Sequence, residues 1–127
     1  MMNTEEKKAY CRSVAETIRI QLRWSVTSPV IFSWGVSEYA ACWYDGMASL
    51  RMKVNGMVHK GFVMVCYDDG ADVYILHLFD MNLKVVKTID NVFADELGAR
   101  IDEEIEHPKT MTDAEYKAGI MKELLAG

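Results

Sequence analysis

His59 and Lys60 follow closely on the turn pair Asn55-Gly56, and of all the ionisable side chains they are the best placed for proton transfer near neutral pH. With Asp68 downstream they make the constellation on which an enzyme would have to be built. It has no identifiable nucleophile and no carboxylate held against the imidazole, so the expectation is a surface histidine and no catalysis. His77 sits inside an apolar run and reads as a core histidine with a hydrogen bond on one side, while His107, just before Pro108, suits a helix end. Cys11, Cys42, Cys66 and the histidines show neither C-x-x-C spacing nor a helical i, i+4 pair. No metal site or disulfide framework is expected, and the thiols read as small core hydrophobes in a reducing compartment. Asp68-Asp69-Gly70-Ala71-Asp72 invites a calcium loop, but the twelfth position would be Phe79, which cannot coordinate, so a hairpin turn is the better account. Phosphate-loop, dinucleotide and nucleophile-elbow patterns are absent from the sequence, and no cofactor is expected.

Two clusters of charge point to binding instead. Arg51, Lys53 and Lys60, with Tyr67 or Tyr74 nearby, offer a cationic and aromatic sheet face that could stack single-stranded bases. The net charge of −5 and the missing aromatic spacing of RNA-binding sheets disfavour nucleic acid. Residues 90–106 hold seven of the nineteen carboxylates against Arg100 alone, whereas residues 1–24 are mildly basic. Within the acidic stretch, Asp95, Asp102, Glu103 and Glu106 are the candidate partner-binding residues, since a single-sign patch speeds encounter with a basic surface.

The elements that must position these residues are set by periodicity. Leu50, Met52 and Val54 alternate with Arg51 and Lys53, the period of a half-buried strand. Phe62 to Tyr67 and Val73 to Phe79 are apolar on both parities, as strands covered on both faces are. Leu83 to Ile89 carries Lys84 and Lys87 and suits a guarded edge. Short turns at Asn55-Gly56, Asp68 to Asp72 and Asp80-Met81-Asn82 make an antiparallel meander the economical topology. Before it, Tyr10, Val14, Ile18 and Leu22 form one stripe of a helix that Asn3 or Thr4 can cap, and Val30–Trp34 and Tyr39–Tyr44 read as short strands. After it, a helix capped by Asp90 or Asn91 would turn Phe93, Leu97, Ile101 and Ile105 inward and Asp95, Asp102 and Glu106 outward. Thr112 and Glu115 signal a last helix with Ile120, Leu124 and Met121 on its apolar face.

The expected fold is α+β: an N-terminal helix, an antiparallel meander of five or six strands and one or two C-terminal helices, in one domain over 1–127. Residues 107–127 are a docked or mobile appendage in this scheme, with docking favoured because two-faced strands need a second cover. Self-association through that face is the competing solution, so a homo-oligomer stays open. The first residues lack the apolar run of a signal peptide, and no stretch approaches the roughly 20 apolar residues of a membrane span. A cytoplasmic, membrane-free protein is expected.

The run Lys53-Val54-Asn55-Gly56-Met57-Val58-His59-Lys60-Gly61, followed by Gly70, Asp72 and Tyr74 in a G-x-D-x-Y pattern, resembles a group of small proteins found on phages and mobile elements of gut bacteria. Those proteins also begin with a helix like Ala15 to Leu22, have a strand near Trp34-Gly35, and close with a helix like Val92 to Leu97. The resemblance covers about residues 12–106 and rests on turn and core features. It implies an accessory protein of a mobile element, acting on host or element machinery. Together these observations favour a non-enzymatic intracellular module for a protein partner, with single-stranded nucleic acid and a His59-centred enzyme as the alternatives.

Overall fold

The computed structural model describes residues 2–26 and 28–106. Helix α1 spans Thr4–Ser25, and its start is fixed by Asn3 as N-cap: the side chain of Asn3 accepts from the Glu6 amide at 2.8 Å and its Nδ2 donates to the Glu6 carboxylate at 2.7 Å. Cys11, Ala15, Ile18 and Leu22 form its buried stripe, with Val14 packed at the margin. That stripe lies on one face of a five-stranded antiparallel sheet of order β1-β2-β3-β4-β5, made of Glu38–Tyr44, Met47–Asn55, Lys60–Asp68, Val73–Phe79 and Val85–Val92. The fold is therefore α+β, with a meander in which every neighbour in sequence is a neighbour in space. Leu50, Met52, Val63, Val65 and Leu76 face α1 and form the main core with Ile18 and Leu22. Each such side chain, fully buried, contributes about 1.5–3 kcal/mol.

Two expected elements take other forms. Val30–Trp34 is not a strand: a short helix, α2, runs Ser28–Ser33. Three β-branched or aromatic residues in a row favour extended chain, but Pro29 falls in the first turn, where a missing N–H is harmless, and Gly35 closes the segment at φ 61°. The turn buries the Trp34 ring completely and lets its carbonyl accept from Asn55 at 2.9 Å. Tertiary packing overrides local propensity here.

The acidic helix also starts later than expected. Neither Asp90 nor Asn91 caps it, because β5 continues to Val92, which pairs with Tyr74, and Asn91 turns the chain at φ 56°. A 3-10 turn at Ala94–Glu96 then leads into α3, Leu97–Ile105. Phe93, expected to point inward, is 55% exposed, and Val92 takes the buried position. Gly98 sits where a Cβ would lie 2.4 Å from Ser25 Oγ, and its amide donates to that hydroxyl at 3.1 Å, so α3 starts in direct contact with the end of α1. The last expected helix, and the docking of 107–127, lie outside the described residues.

The sheet's second face is partly covered by the sheet itself. Tyr44 closes β1 and Phe79 closes β4, at diagonally opposite corners, yet the Tyr44 ring lies 5.7 Å from Phe79 and 5.1 Å from His77. In a flat sheet β1 and β4 would stand about 14 Å apart. Twist brings the two corners toward each other, and Phe79 is buried there with Met64 and Cys66.

Candidate functional site

The proton-transfer constellation is pulled apart. Lys60 opens β3 and Asp68 closes it, eight positions away, which is about 26 Å along an extended strand. His59 is half-buried, with its Nε2 3.4 Å from the Phe62 carbonyl and its amide donating to Ile105 at 3.0 Å. His59, Lys60 and Asp68 thus share no site. His77 makes the expected bond on one side only, Nδ1 to Thr88 Oγ1 at 3.0 Å, and its burial lowers its pKa against the opposing pull of Asp45 and Asp90. Among the described residues no three metal-ligating side chains converge.

The cationic face is real, but its aromatic component differs from expectation. Alternation and register place Arg51, Lys53 and Lys60 on the second face, with Arg51 Cζ 5.6 Å from the Phe62 ring. Tyr67 and Tyr74 are on the α1 face and do not accompany them. A strand alternates strictly, so odd positions of β3 and even positions of β4 belong to the first face.

The acidic quartet is divided as well. Asp95 and Glu103 are exposed, whereas Asp102 is 7% and Glu106 3% exposed. Asp102 accepts a hydrogen bond from Trp34 Nε1 at 2.8 Å, and the Glu106 carboxylate accepts from the Met57 amide. Val58 and His59 amides donate to the Ile105 carbonyl at 2.7 and 3.0 Å, so the β2–β3 loop caps the C-terminus of α3. Asp102 lies one residue beyond Ile101, beside the apolar stripe instead of opposite it. The expected outward placement of Asp102 and Glu106 is corrected accordingly.

What remains open are the two flanks of α1. On one, a groove of about 600 Å3 runs between α1 and the β3–β4 hairpin, lined by Thr17, Gln21, Tyr67, Asp72, Tyr74 and Phe93 among others. Tyr67 donates to Asp72 at 2.8 Å, Tyr74 donates to Gln21, and the two rings lie 5.6 Å apart. Burial, with Tyr67 adding to it, pushes the Tyr74 phenol up to about 12, and the bond to Asp72 raises Tyr67. Both phenols therefore keep their protons at neutral pH and act as hydrogen-bonding groups, not bases.

On the other flank lies β1, the first strand of the sheet and one of its two edges. Its register with β2 is continuous from Glu38 to Tyr44, and among the described residues no backbone group bonds to its outer side. Tyr39 and Trp43, 40% and 38% exposed, stand on the α1 side. Arg19 Cζ lies 4.3 Å over the Tyr39 ring and Lys7 Nζ 4.6 Å over the Trp43 ring. Beyond Tyr39 a second groove, of about 580 Å3, is lined by Arg23, Ile31, Phe32, Gly35, Val36 and Tyr39.

None of the edge residues stood out in the sequence. The available signal was negative: Tyr39 to Tyr44 contains no lysine, proline or other guard, and a strand that opens a meander is necessarily an edge. The three thiols offer no counterweight, since burial raises the pKa of Cys11, Cys42 and Cys66, the last to about 11. Among the described residues no helix is long and apolar enough to cross a membrane. The chain matches no family model, no curated protein and no solved structure.

Proposed function

We propose that this protein is a non-enzymatic protein-interaction module that recognises its partner by adding an extended segment of it to β1. The observation that carries this is the outer edge of β1, whose backbone has no partner among the described residues and which carries exposed Tyr39 and Trp43. Unpaired N–H and C=O groups in a row are a template for another strand, and aromatic neighbours supply contact area. The raised thiol and phenol pKa values and the separation of His59 from Asp68 support a binding role over a catalytic one. The resemblance of residues 53–61 and 70–74 to phage and mobile-element proteins supports an accessory role inside the bacterial cytoplasm.

The test is capture on the immobilised protein from bacterial lysate, with and without nuclease, followed by hydrogen exchange on the complex. A protein that survives nuclease and slows exchange in 38–44 by about tenfold or more supports the proposal. A partner that leaves those amides unchanged defeats strand addition. Recovery that depends on nucleic acid favours the second reading, in which Arg51, Lys53 and Lys60 with the Phe62 ring bind single strands.

A further inference from the structure

On the α1 face, β1 is bordered by cations. Lys7 and Arg19 are stacked on the Trp43 and Tyr39 rings, and Arg23 lines the adjoining groove. Among the described residues the ion pair is Lys87–Glu104, on the far side of the sheet, so Lys7, Arg19 and Arg23 have no carboxylate within ion-pair distance. A guanidinium over a ring keeps its in-plane N–H groups free for a carboxylate, which is the arrangement of a cation held ready by stacking.

We infer that the segment β1 accepts is acidic, with two carboxylates four residues apart on the side that faces α1. This rests on the strand-addition role proposed above. Tyr39 and Trp43 are four positions apart on one face, about 13 Å, and an added strand has the same rise, so its residues i and i+4 come opposite Arg19 and Lys7. The residue between them comes opposite Ala41, which is small and exposed and sets no requirement. Alternate residues fall on the other face beside Ala40 and Cys42, where compact apolar side chains fit.

A second copy of this chain fits less well. Antiparallel pairing of β1 with itself about Ala41 sets Tyr39 opposite the partner copy's Trp43, and so brings Arg19 against the partner copy's Lys7. Like charges across a pair oppose association.

The experiment uses the whole protein and a synthetic nine-residue peptide alternating valine with threonine or glutamate, the two glutamates four residues apart. Binding is read by the chemical shifts of β1 amides. The expected result is salt-sensitive binding that falls about tenfold or more when both glutamates become glutamine or when Arg19→Glu is introduced, with no binding of the lysine counterpart. Arg19→Lys, which keeps the charge, should retain most of it, and circular dichroism checks that both variants fold. If the glutamine and lysine peptides bind as well as the glutamate one, and N-methylation of alternate amides abolishes all three, strand addition stands and the acidic requirement falls. If N-methylation has no effect, β1 pairing itself is wrong. A concentration-dependent dimer that protects 38–44 overturns the inference in favour of a second copy.

Discussion

β1 and β5 are the two outer strands of one sheet, and they treat their open backbone in opposite ways. β5 carries Lys87 and Asp90, breaks register with β4 twice, and holds Asn91 in a left-handed conformation one residue before its end. Lys87 is also tied to Glu104 of α3 at 2.8 Å. Charge, irregularity and a neighbouring helix are the usual means by which an edge is closed to other chains. β1 differs: its register is unbroken, its charged residue is Glu38 at the end, and the helix beside it, α1, lays cations on its exposed rings while its outer backbone stays unpaired among the described residues. One guarded edge and one that is unpaired among the described residues suit selective strand addition, because they give a partner one place to pair.

The largest expected effect concerns what holds the guard of β5 in position. Trp34→Ala should lower stability by about 3–5 kcal/mol by emptying the core. Asp102→Ala should lower it by about 1–3 kcal/mol by leaving the buried indole N–H without its acceptor. Urea unfolding measures both, and hydrogen exchange in the Asp102→Ala protein should rise more in β5 than in β1, since Glu104 of α3 is paired with Lys87 of β5. Equal rises would show that α3 does not protect β5.

Removing and installing guards should then exchange the behaviour of the two edges. Lys87→Val should change stability by less than about 1 kcal/mol, as it loses an exposed ion pair, yet promote self-association visible by light scattering. Ala41→Glu, which puts a like charge between the two carboxylates of the incoming strand, should leave stability within about 0.5 kcal/mol and weaken peptide binding at β1. Undiminished binding by the Ala41→Glu protein would mean that the β1 edge is not what the partner uses.

The smallest effect is a pH dependence centred on the curled corner that joins the two halves of the sheet. Burial lowers the pKa of His77 beside Tyr44, so the folded state binds this proton less readily than the unfolded chain. The contribution is fully present above the ordinary value of 6.5 and is lost as pH falls through the lower folded-state value. Subtracting the urea midpoints of His77→Gln from those of the native protein between pH 8 and pH 5 should isolate it. No difference in slope would place His77 in a more solvated setting.

Much of this architecture was legible beforehand. The period-two pattern of Leu50, Met52 and Val54, the Asn3 cap with Glu6 three residues on, and the four-residue stripe of α1 each report a local rule that packing then obeyed. Val30 to Trp34 was misleading because β-branched residues were weighed without the burial of Trp34 that makes a helical turn worthwhile. The acidic helix misled for a related reason: charge reads as exposure until a buried donor such as the Trp34 indole is known to be waiting.

By itself, the amino-acid order determined the four strands between Glu38 and Phe79, the turns that join them, and that the whole is a meander beneath a helix, because side-chain period and turn chemistry act between near neighbours. Tertiary structure alone decided which carboxylates are spent inside and which edge is unpaired among the described residues. Those outcomes depend on pairs such as Trp34 with Asp102 and Arg19 with Tyr39, brought together only after the sheet has twisted and the helices have settled on it.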